Sequence, residues 1–277
     1  MSIKFIKRNI KIYMQDKLGV FFSFLGVLIS LIIYIFFLRN TLINSVGTYY
    51  NAKKLVDLWM MGSLISISAI TTTLSAFNQK LNDYQKHLIW DFMVNESFST
   101  YKIELLYIIT SIIQSFISVT LFTIVVFIYL FNKYSGVVSI QKFIEIEISS
   151  LMLIIFSTML FSLITNFIKS DSSFTSLSVI IGTLTGFLSG SYIPYGSLPK
   201  IVQNFIRGWV GYQNAACNRY LLVKDINIPK GIKRRLFQNL GISTSVNPFI
   251  KWLLISNVII IILNMVCQLK MSFKNKK

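Results

Sequence analysis

Residue types that carry catalysis or bind metals are sparse in this sequence. His87 is the single histidine, and zinc-protease motifs and histidine relays need more than one. A lone histidine in a polar connector is more often an interface residue than a catalyst. Cys217 and Cys267 are far apart and are expected on different sides of a membrane, which argues against a disulfide and a zinc site. No G-x-x-x-x-G-K-S/T loop occurs, so this chain has no P-loop for ATP.

The elements that must position any site are membrane helices. Apolar residues make up 54 % and charged residues 13 % of the 277 residues, and the mean hydropathy is +0.64. An ordinary soluble domain has about 25 % charged residues. Six charge-free runs approach or exceed the ~20 residues that a helix needs to cross the hydrocarbon core. We therefore predict an all-α integral membrane protein with one transmembrane domain over residues 1–277. Its six spans are predicted at 18–38, 57–78, 104–131, 147–168, 173–192 and 250–269.

The distribution of Lys and Arg predicts that both termini lie in the cytoplasm. With the N-terminus inside, the inner segments hold 13 of the 27 basic residues, and the two short outer loops hold 5. The long outer segment holds the remaining 9 and counts less in this rule. A net charge of +17 is explained by membrane flanks that face anionic lipid, so we expect lipid contacts and no nucleic-acid partner.

Two polar segments have the periodicity of amphipathic helices. Residues 3–16 alternate apolar residues at helical spacing with Lys and Arg, which predicts a basic helix in the interface plane; the alternative is a disordered flank. Residues 80–99 are the longest polar stretch on the predicted inner side and also have apolar residues at helical spacing. This segment is either a short helix that meets a partner or a solvated connector.

Glycine and proline mark the end of the fifth span. Gly182, Gly186 and Gly190 recur every four residues, a rhythm that lets a neighbouring helix approach closely. Pro194 and Pro199 follow and cannot continue the helix.

An outer helical hairpin is predicted at 193–222. The 11 charge-free residues between Arg207 and Arg219 are too few to cross a membrane and too apolar for a solvated loop. Two short helices that enter half of the membrane fit this pattern if protein shields the turn near 208–211. The alternative is a helix that lies flat on the surface.

The segment 186–222 resembles the signature region of the ABC-2-type export permeases. That family has a glycine-rich end of the fifth helix, an aromatic–x–Pro–x–x–x–Leu–Pro motif, then a polar residue and an Arg before an apolar pair. The matching residues are Gly186, Gly190, Tyr192, Pro194, Leu198, Pro199, Gln203 and Arg219. The family commonly has a Pro, and in some branches a His, where this chain has Trp-Val-Gly-Tyr at 209–212, so the hairpin geometry or the substrate is expected to differ.

The segment 83–108 is similar to the same family after its second helix. Asp83, Asp91 and Phe92 match the acidic start and the Asp-Phe pair. Asn-Glu-Ser at 95–97 stands where the family often has a small residue and a Pro. The order of elements also agrees, from an interfacial helix through six spans to an outer hairpin after the fifth.

The resemblance implies that the chain is the membrane half of an ATP-driven exporter. Two copies of a separate ABC ATP-binding subunit would bind ATP and Mg, so this chain is expected to be no enzyme and to bind no metal or cofactor. A second copy, or a homologous permease, would complete the assembly. The expected substrate is a hydrophobic or amphipathic drug or peptide, or a lipid-linked molecule. Separately, the abundance of Ile, Lys and Asn indicates that the chain lies in the cell membrane of a Gram-positive bacterium.

The resemblance also implies two groups of functional residues. Contact with the ATPase is expected at Asp83, Leu88, Trp90, Asp91, Phe92, Met93 and Glu96. An outer gate is expected at Gly186, Gly190, Tyr192, Pro194, Pro199, Gln203 and Arg219.

Two other function classes stay open. One is a membrane immunity or binding protein without transport, and the other is an ion-coupled carrier. The carrier is disfavoured because the six runs contain no charge and no internal repeat is found. The basic residues of 223–247 either contact lipid phosphates or help a cationic substrate to leave.

Overall fold

The computed structural model describes residues 2–46, 51–95, 99–134, 136–168, 170–228 and 230–274. All regular structure in these residues is helical. The helices are α1 (Ser2–Gln15), α2 (Lys17–Ser23), α3 (Leu25–Ile33), α4 (Arg39–Val46), α5 (Ala52–Ala76), α6 (Asn78–Gln85), α7 (Leu88–Asn95), α8 (Thr100–Lys133), α9 (Ile140–Thr165), α10 (Asp171–Leu188), α11 (Lys200–Gly208), α12 (Val210–Val223), α13 (Lys230–Leu240) and α14 (Asn247–Lys274).

Five segments of the described residues are long and apolar enough to cross a membrane. They are Val27–Asn44, Ala52–Gln85, Thr100–Lys133, Ile140–Thr165 and Phe249–Val266. The fifth predicted span, 173–192, falls on α10, whose apolar part, Ser172–Leu188, is shorter. The chain is therefore an all-helical protein with several membrane-embedded helices, as its composition predicts.

Helix α5 is the centre of the bundle and is buried along nearly its whole length. It packs against α8, α9 and α12. Several of its Ser and Thr hydroxyls donate to carbonyls one turn back, as Ser63 does to Trp59 at 2.8 Å, so they need no water. Gly62 lets α12 approach closely, because a Cβ there would lie 2.7 Å from the Arg219 backbone nitrogen.

The first predicted span, 18–38, is not one uniform helix. Its helix is interrupted at Phe24, and a π-helical turn at Tyr34–Leu38 joins α3 to α4. The extra residue of a π-turn changes which side chains face inward, and Tyr34 is buried while Phe37 is exposed. The predicted span ends at Leu38 because Arg39 is charged. In the structure the helix continues through Arg39, whose guanidinium forms an ion pair with the buried Asp57 of α5.

Charged side chains gather at two ends of the bundle. The Asp83 end contains Arg8, Lys80, Asp83 and Glu104, and the Asp57 end contains Arg39, Asp57, Lys133, Lys142 and Lys224. At the Asp57 end, two ion pairs join the start of α9 to the end of α12. Lys142 meets Asp225 at 2.7 Å, and Lys224 meets Glu145 at 2.6 Å. The bond from Lys142 lowers the pKa of Asp225.

Helix α1 agrees with the bounds of the predicted interfacial helix, 3–16, to within one residue at each end, and it lies along α8. The Phe5 ring meets the Tyr107 ring with centroids 5.1 Å apart, and Tyr13 and Ser118 share a hydroxyl hydrogen bond of 2.9 Å. At about 1.5 Å per residue α8 is about 50 Å long, longer than the ~30 Å hydrocarbon core. It therefore extends beyond that core and offers α1 a surface to pack on.

Helices α11 and α12 occupy the predicted hairpin, and α12 runs antiparallel to α5. A Cβ on Gly211 would lie 2.8 Å from Ile70, whereas Arg219, two turns further on, bonds to Ser63. Ile70 lies about 27 Å along α5 from its start. Helix α12 is buried almost throughout, and its Asn214 donates to the Ser149 carbonyl of α9 at 2.9 Å.

Candidate functional site

A cavity of about 710 Å³ opens at the Asp83 end, between α1–α3, the end of α5 with α6, and α10. This volume lies within the ~300–1,000 Å³ usual for small-molecule sites. Its polar wall includes Asn78, Asn82 and Thr175. Leu25 and Val179 line it as well and are exposed on the helix surfaces, so the wall also has an apolar side that faces outward. The cavity is thus suited to a molecule with one polar and one apolar part.

The four charged side chains that line the cavity balance one another. Arg8 and Asp83 form an ion pair at 3.0 Å, and Tyr107 donates to Asp83 at 2.7 Å. The hydrogen bond to Asp83 raises the pKa of the Arg8 guanidinium. Asp16 and Lys86 supply the other two charges. Although the chain carries +17, the cavity has no formal net charge.

Asp16 has a structural role at the edge of this cavity. Its carboxylate accepts from the Gly19 backbone N–H at 2.8 Å and so caps the start of α2. The contact explains the glycine, because a Cβ at position 19 would collide with the Asp16 carboxylate. Lys86 is exposed and forms no ion pair within the described residues, so it is the lining charge most available to a bound molecule.

The predicted ATPase contact falls on α6 and α7, which the structure divides into an inward and an outward set. Asp83 is buried against Arg8, and Phe92 packs edge-on against Phe5 with ring centroids 5.0 Å apart. Both therefore hold α1 in place. Trp90 and Asp91 are exposed, and Trp90 has 55 % of its surface free.

Three more residues of the predicted contact complete this segment. Leu88 is half-buried and lines the cavity. The side chain of Met93 and all of Glu96 lie outside the described residues. The turn between α6 and α7 is sharp, since His87 has a positive φ of 58°.

Arg219 organises the predicted outer gate as a clasp of hydrogen bonds, and it is completely buried. Its Nε donates to Ser63 Oγ at 2.8 Å, and its Nη2 donates to the carbonyls of Ser189 at 2.8 Å and Gly190 at 3.0 Å. Its Nη1 donates to the Gly241 carbonyl at 3.2 Å. No carboxylate pairs with it among the described residues.

Trp59 completes the Arg219 clasp. The guanidinium lies 4.6 Å from the centre of the indole ring, in cation–π geometry. The indole N–H donates to the Leu240 carbonyl at 2.6 Å. Together the two side chains tie α5 and α12 to the chain breaks at Ser189–Gly190 and Leu240–Gly241.

The other predicted gate residues lie around this clasp or in the turn after it. Gly190 has φ +65°, a conformation that favours glycine, and Gly186 leaves room for the Tyr192 ring. Tyr192 shares a 2.9 Å hydrogen bond with Ser30 of α3.

Pro194, Pro199 and Gln203 form the entrance to α11. Pro194 precedes the 3₁₀ turn at Tyr195–Ser197, and Pro199 is the residue before α11. Gln203 donates to the Leu198 carbonyl at 2.8 Å. These three residues shape the turn and do not contact the Arg219 guanidinium.

The Asp57 cluster is a buried site that sequence reasoning missed. Asp57 accepts from Arg39 at 2.9 Å, Lys133 at 2.8 Å, Tyr134 at 2.6 Å and also Tyr34. Burial, followed by the bond to Asp57, raises the pKa of Tyr134. The sequence does contain a signal for this cluster. Asp57 is the one acidic residue between positions 17 and 82, and the predicted outer loops contain the cations Arg39 and Lys133.

Comparison with protein-family models and with curated proteins finds no match for this chain.

We expect Arg219→Gln to loosen the clasp. A glutamine cannot reach all of the carbonyls that Arg219 satisfies, and buried polar groups left unpaired cost about 1–3 kcal/mol each. The melting temperature in detergent should fall clearly, measured with a thiol-reactive dye that detects the buried Cys217 on unfolding. Arg207→Gln is the matched control, because Arg207 is exposed on α11. Equal melting temperatures for both variants and the unmodified protein would contradict the role of the clasp.

Proposed function

We propose that the chain is the membrane-spanning subunit of an ATP-driven exporter of the ABC-2 type. In this proposal the Asp83 end faces the cytoplasm, α10 is the fifth of six spans, and α11–α12 form a re-entrant hairpin from the outer side. The depth of α12 along α5 supports the hairpin, since Gly211 lies beside Ile70. The two sequence motifs supply the comparison with export permeases.

The observation that carries the proposal is the connection between α7 and the cavity. Asp83 and Leu88, which flank the α6–α7 turn, line the cavity, while Trp90 on the same short helix as Leu88 is exposed. A protein that grips Trp90 and moves α7 therefore moves a wall of the cavity. This is the arrangement needed to couple ATP hydrolysis in a separate subunit to a change in the membrane site.

The substrate we propose is an amphipathic molecule of low net charge. The polar wall at Asn78, Asn82 and Thr175 would hold its polar part, and the side at Leu25 and Val179 would contact its apolar part. The balanced charges of the lining favour neutral or zwitterionic molecules over strongly cationic ones. This is a narrower class than the hydrophobic and amphipathic drugs and peptides that the resemblance implies.

A membrane immunity or binding protein without transport would use the same cavity and would need no ATPase. The exposed face of α7 separates these functions, because only the exporter depends on it.

Removing the Trp90 indole should release the ATPase. Buried aromatic anchors at interfaces contribute about 2 kcal/mol or more, so Trp90→Ala should reduce affinity for the ATP-hydrolysing subunit about thirtyfold. The measurement is ATPase activity that co-purifies with the full-length chain from its native membrane. Trp252→Ala is the matched control, since Trp252 is also partly exposed but lies on α14. ATPase yield that is the same for both variants, or absent from the unmodified protein, would contradict the proposal.

Filling the cavity should stop export without releasing the ATPase. Ser178 lines the cavity from α10, so Ser178→Phe should reduce transport of an amphipathic substrate to background while the ATPase still co-purifies. Ser176→Phe is the control, because Ser176 is exposed on the same helix and does not line the cavity. The readout is export of neutral, zwitterionic and cationic analogues of one amphiphile. Preference for the cationic analogue would refute the substrate class, and undiminished export by Ser178→Phe would refute the cavity.

A further inference from the structure

Glu147 differs from the other buried carboxylates of the described residues. Asp57, Asp83 and Glu104 are all buried, and each has a Lys or Arg nitrogen within 2.7–3.0 Å. Glu147 is 7 % exposed and has no cation partner among the residues that the structure describes. The lack of a cation beside Glu147 is unusual in a chain with 27 basic residues.

The Glu147 carboxyl lies between α9 and α8. Its Oε2 is 2.7 Å from Thr120 Oγ1, and its Oε1 is buried with no hydrogen-bond partner among the described residues. Thr123, one turn along α8, donates its hydroxyl to the Val119 carbonyl at 2.9 Å. Glu147 is the eighth residue of α9, so it lies about 10 Å inside that helix.

No charged group from the neighbouring helices forms an ion pair with Glu147 within the described part of the chain. Its carboxyl is hydrogen-bonded to Thr120 of α8, and no ion pair of the described residues joins it to a side chain of α5, α8, α12 or α14. The nearest charges on its own helix, Lys142 and Glu145, are paired with Asp225 and Lys224 at the Asp57 end. Cys217 on α12 is a buried free thiol.

An ionised carboxylate in this place would be strongly unfavourable. A charge removed from water without a partner costs far more than a neutral polar group, so such a group takes up a proton instead. With the proton on Oε2, the 2.7 Å contact is a hydrogen bond that Glu147 donates to Thr120. Oε1 is then an uncharged carbonyl oxygen, for which the lack of a donor costs much less.

We propose that Glu147 is a proton-binding site within the membrane bundle, where its carboxyl is protonated at neutral pH and bonds to Thr120. Loss of that proton places an unpaired negative charge between α8 and α9, so proton binding and the packing of these two helices are linked. In the sequence, Glu147 lies just before the fourth charge-free run. In the structure Glu147 lies inside a helix, because α9 begins seven residues before Glu147. Proton binding at this site does not depend on the exporter function.

A hydrophobic carbodiimide tests this site, because such reagents enter lipid and modify carboxyl groups that are protonated. The full-length protein in lipid nanodiscs is treated with dicyclohexylcarbodiimide at pH 7 and digested for mass spectrometry. We expect at least tenfold more adduct on Glu147 than on Glu104, which is paired with Lys80 at 2.7 Å. Glu147→Gln should remove the adduct, and Glu104→Gln should leave it in place.

Infrared spectroscopy makes the test independent of reagent access. The band of a protonated carboxyl should be present at pH 7 in the unmodified protein and in Glu104→Gln, and absent from Glu147→Gln. Glu147→Gln should also keep its melting temperature from pH 7 to pH 10, whereas the unmodified protein should become less stable at the higher pH. A spectrum without the Glu147 band at pH 7 would overturn the proposal, whether or not an adduct forms.

Discussion

The burial of the Arg219 guanidinium without a carboxylate is the constraint on which the architecture of the hairpin depends. A buried cation needs every donor satisfied, and among the described residues the acceptors are the Ser63 hydroxyl and backbone carbonyls. Free carbonyls occur where helices end, so the chain must break near Ser189–Gly190 and Gly241 to supply them. Gly62 and Gly190 follow from the same requirement, because α12 and the break must come close to α5 and Arg219.

The two ends of the bundle have different electrostatic designs. At the Asp57 end, one carboxylate joins Arg39 of α4 and Lys133 of α8 to α5, which fixes the ends of three helices together. At the Asp83 end, the ion pair of Arg8 with Asp83 joins α1 to α6, and the cavity lies beside it. The Asp57 end is therefore held together by ion pairs between helices, whereas the Asp83 end contains an open cavity and the exposed Trp90.

Hydropathy and charge predict the long apolar helices well, because the length and composition of such a helix depend on residues that are neighbours along the chain. Helix α10, on which the fifth predicted span falls, ends at Leu188, close to where Gly190 and Pro194 predict a helix end. Arg219 was assigned to the site from its motif alone. Contacts between distant segments could not be predicted in this way. Asp83 and Phe92 were expected to face a partner, but they pack on α1, which is more than seventy residues away in sequence.

Buried charges were the least predictable feature. The charge-free runs exclude Asp57 and Glu147 by construction, although both are buried inside helices of the bundle. A carboxylate inside such a helix is acceptable only when a cation or a proton neutralises it, and the partner belongs to another helix.

The most direct test of the exporter mechanism is whether nucleotide changes access to the cavity through α7. Val179→Cys places a thiol at the cavity in a protein whose Cys217 and Cys267 are replaced by Ser. Its labelling rate with a membrane-impermeant maleimide is measured in inside-out vesicles that contain the ATPase, without nucleotide and with the nucleotide trapped. We predict rates that differ clearly between the two states and that become equal when Trp90→Ala is added. Equal rates in both states, with the ATPase bound and active, would contradict coupling through α7.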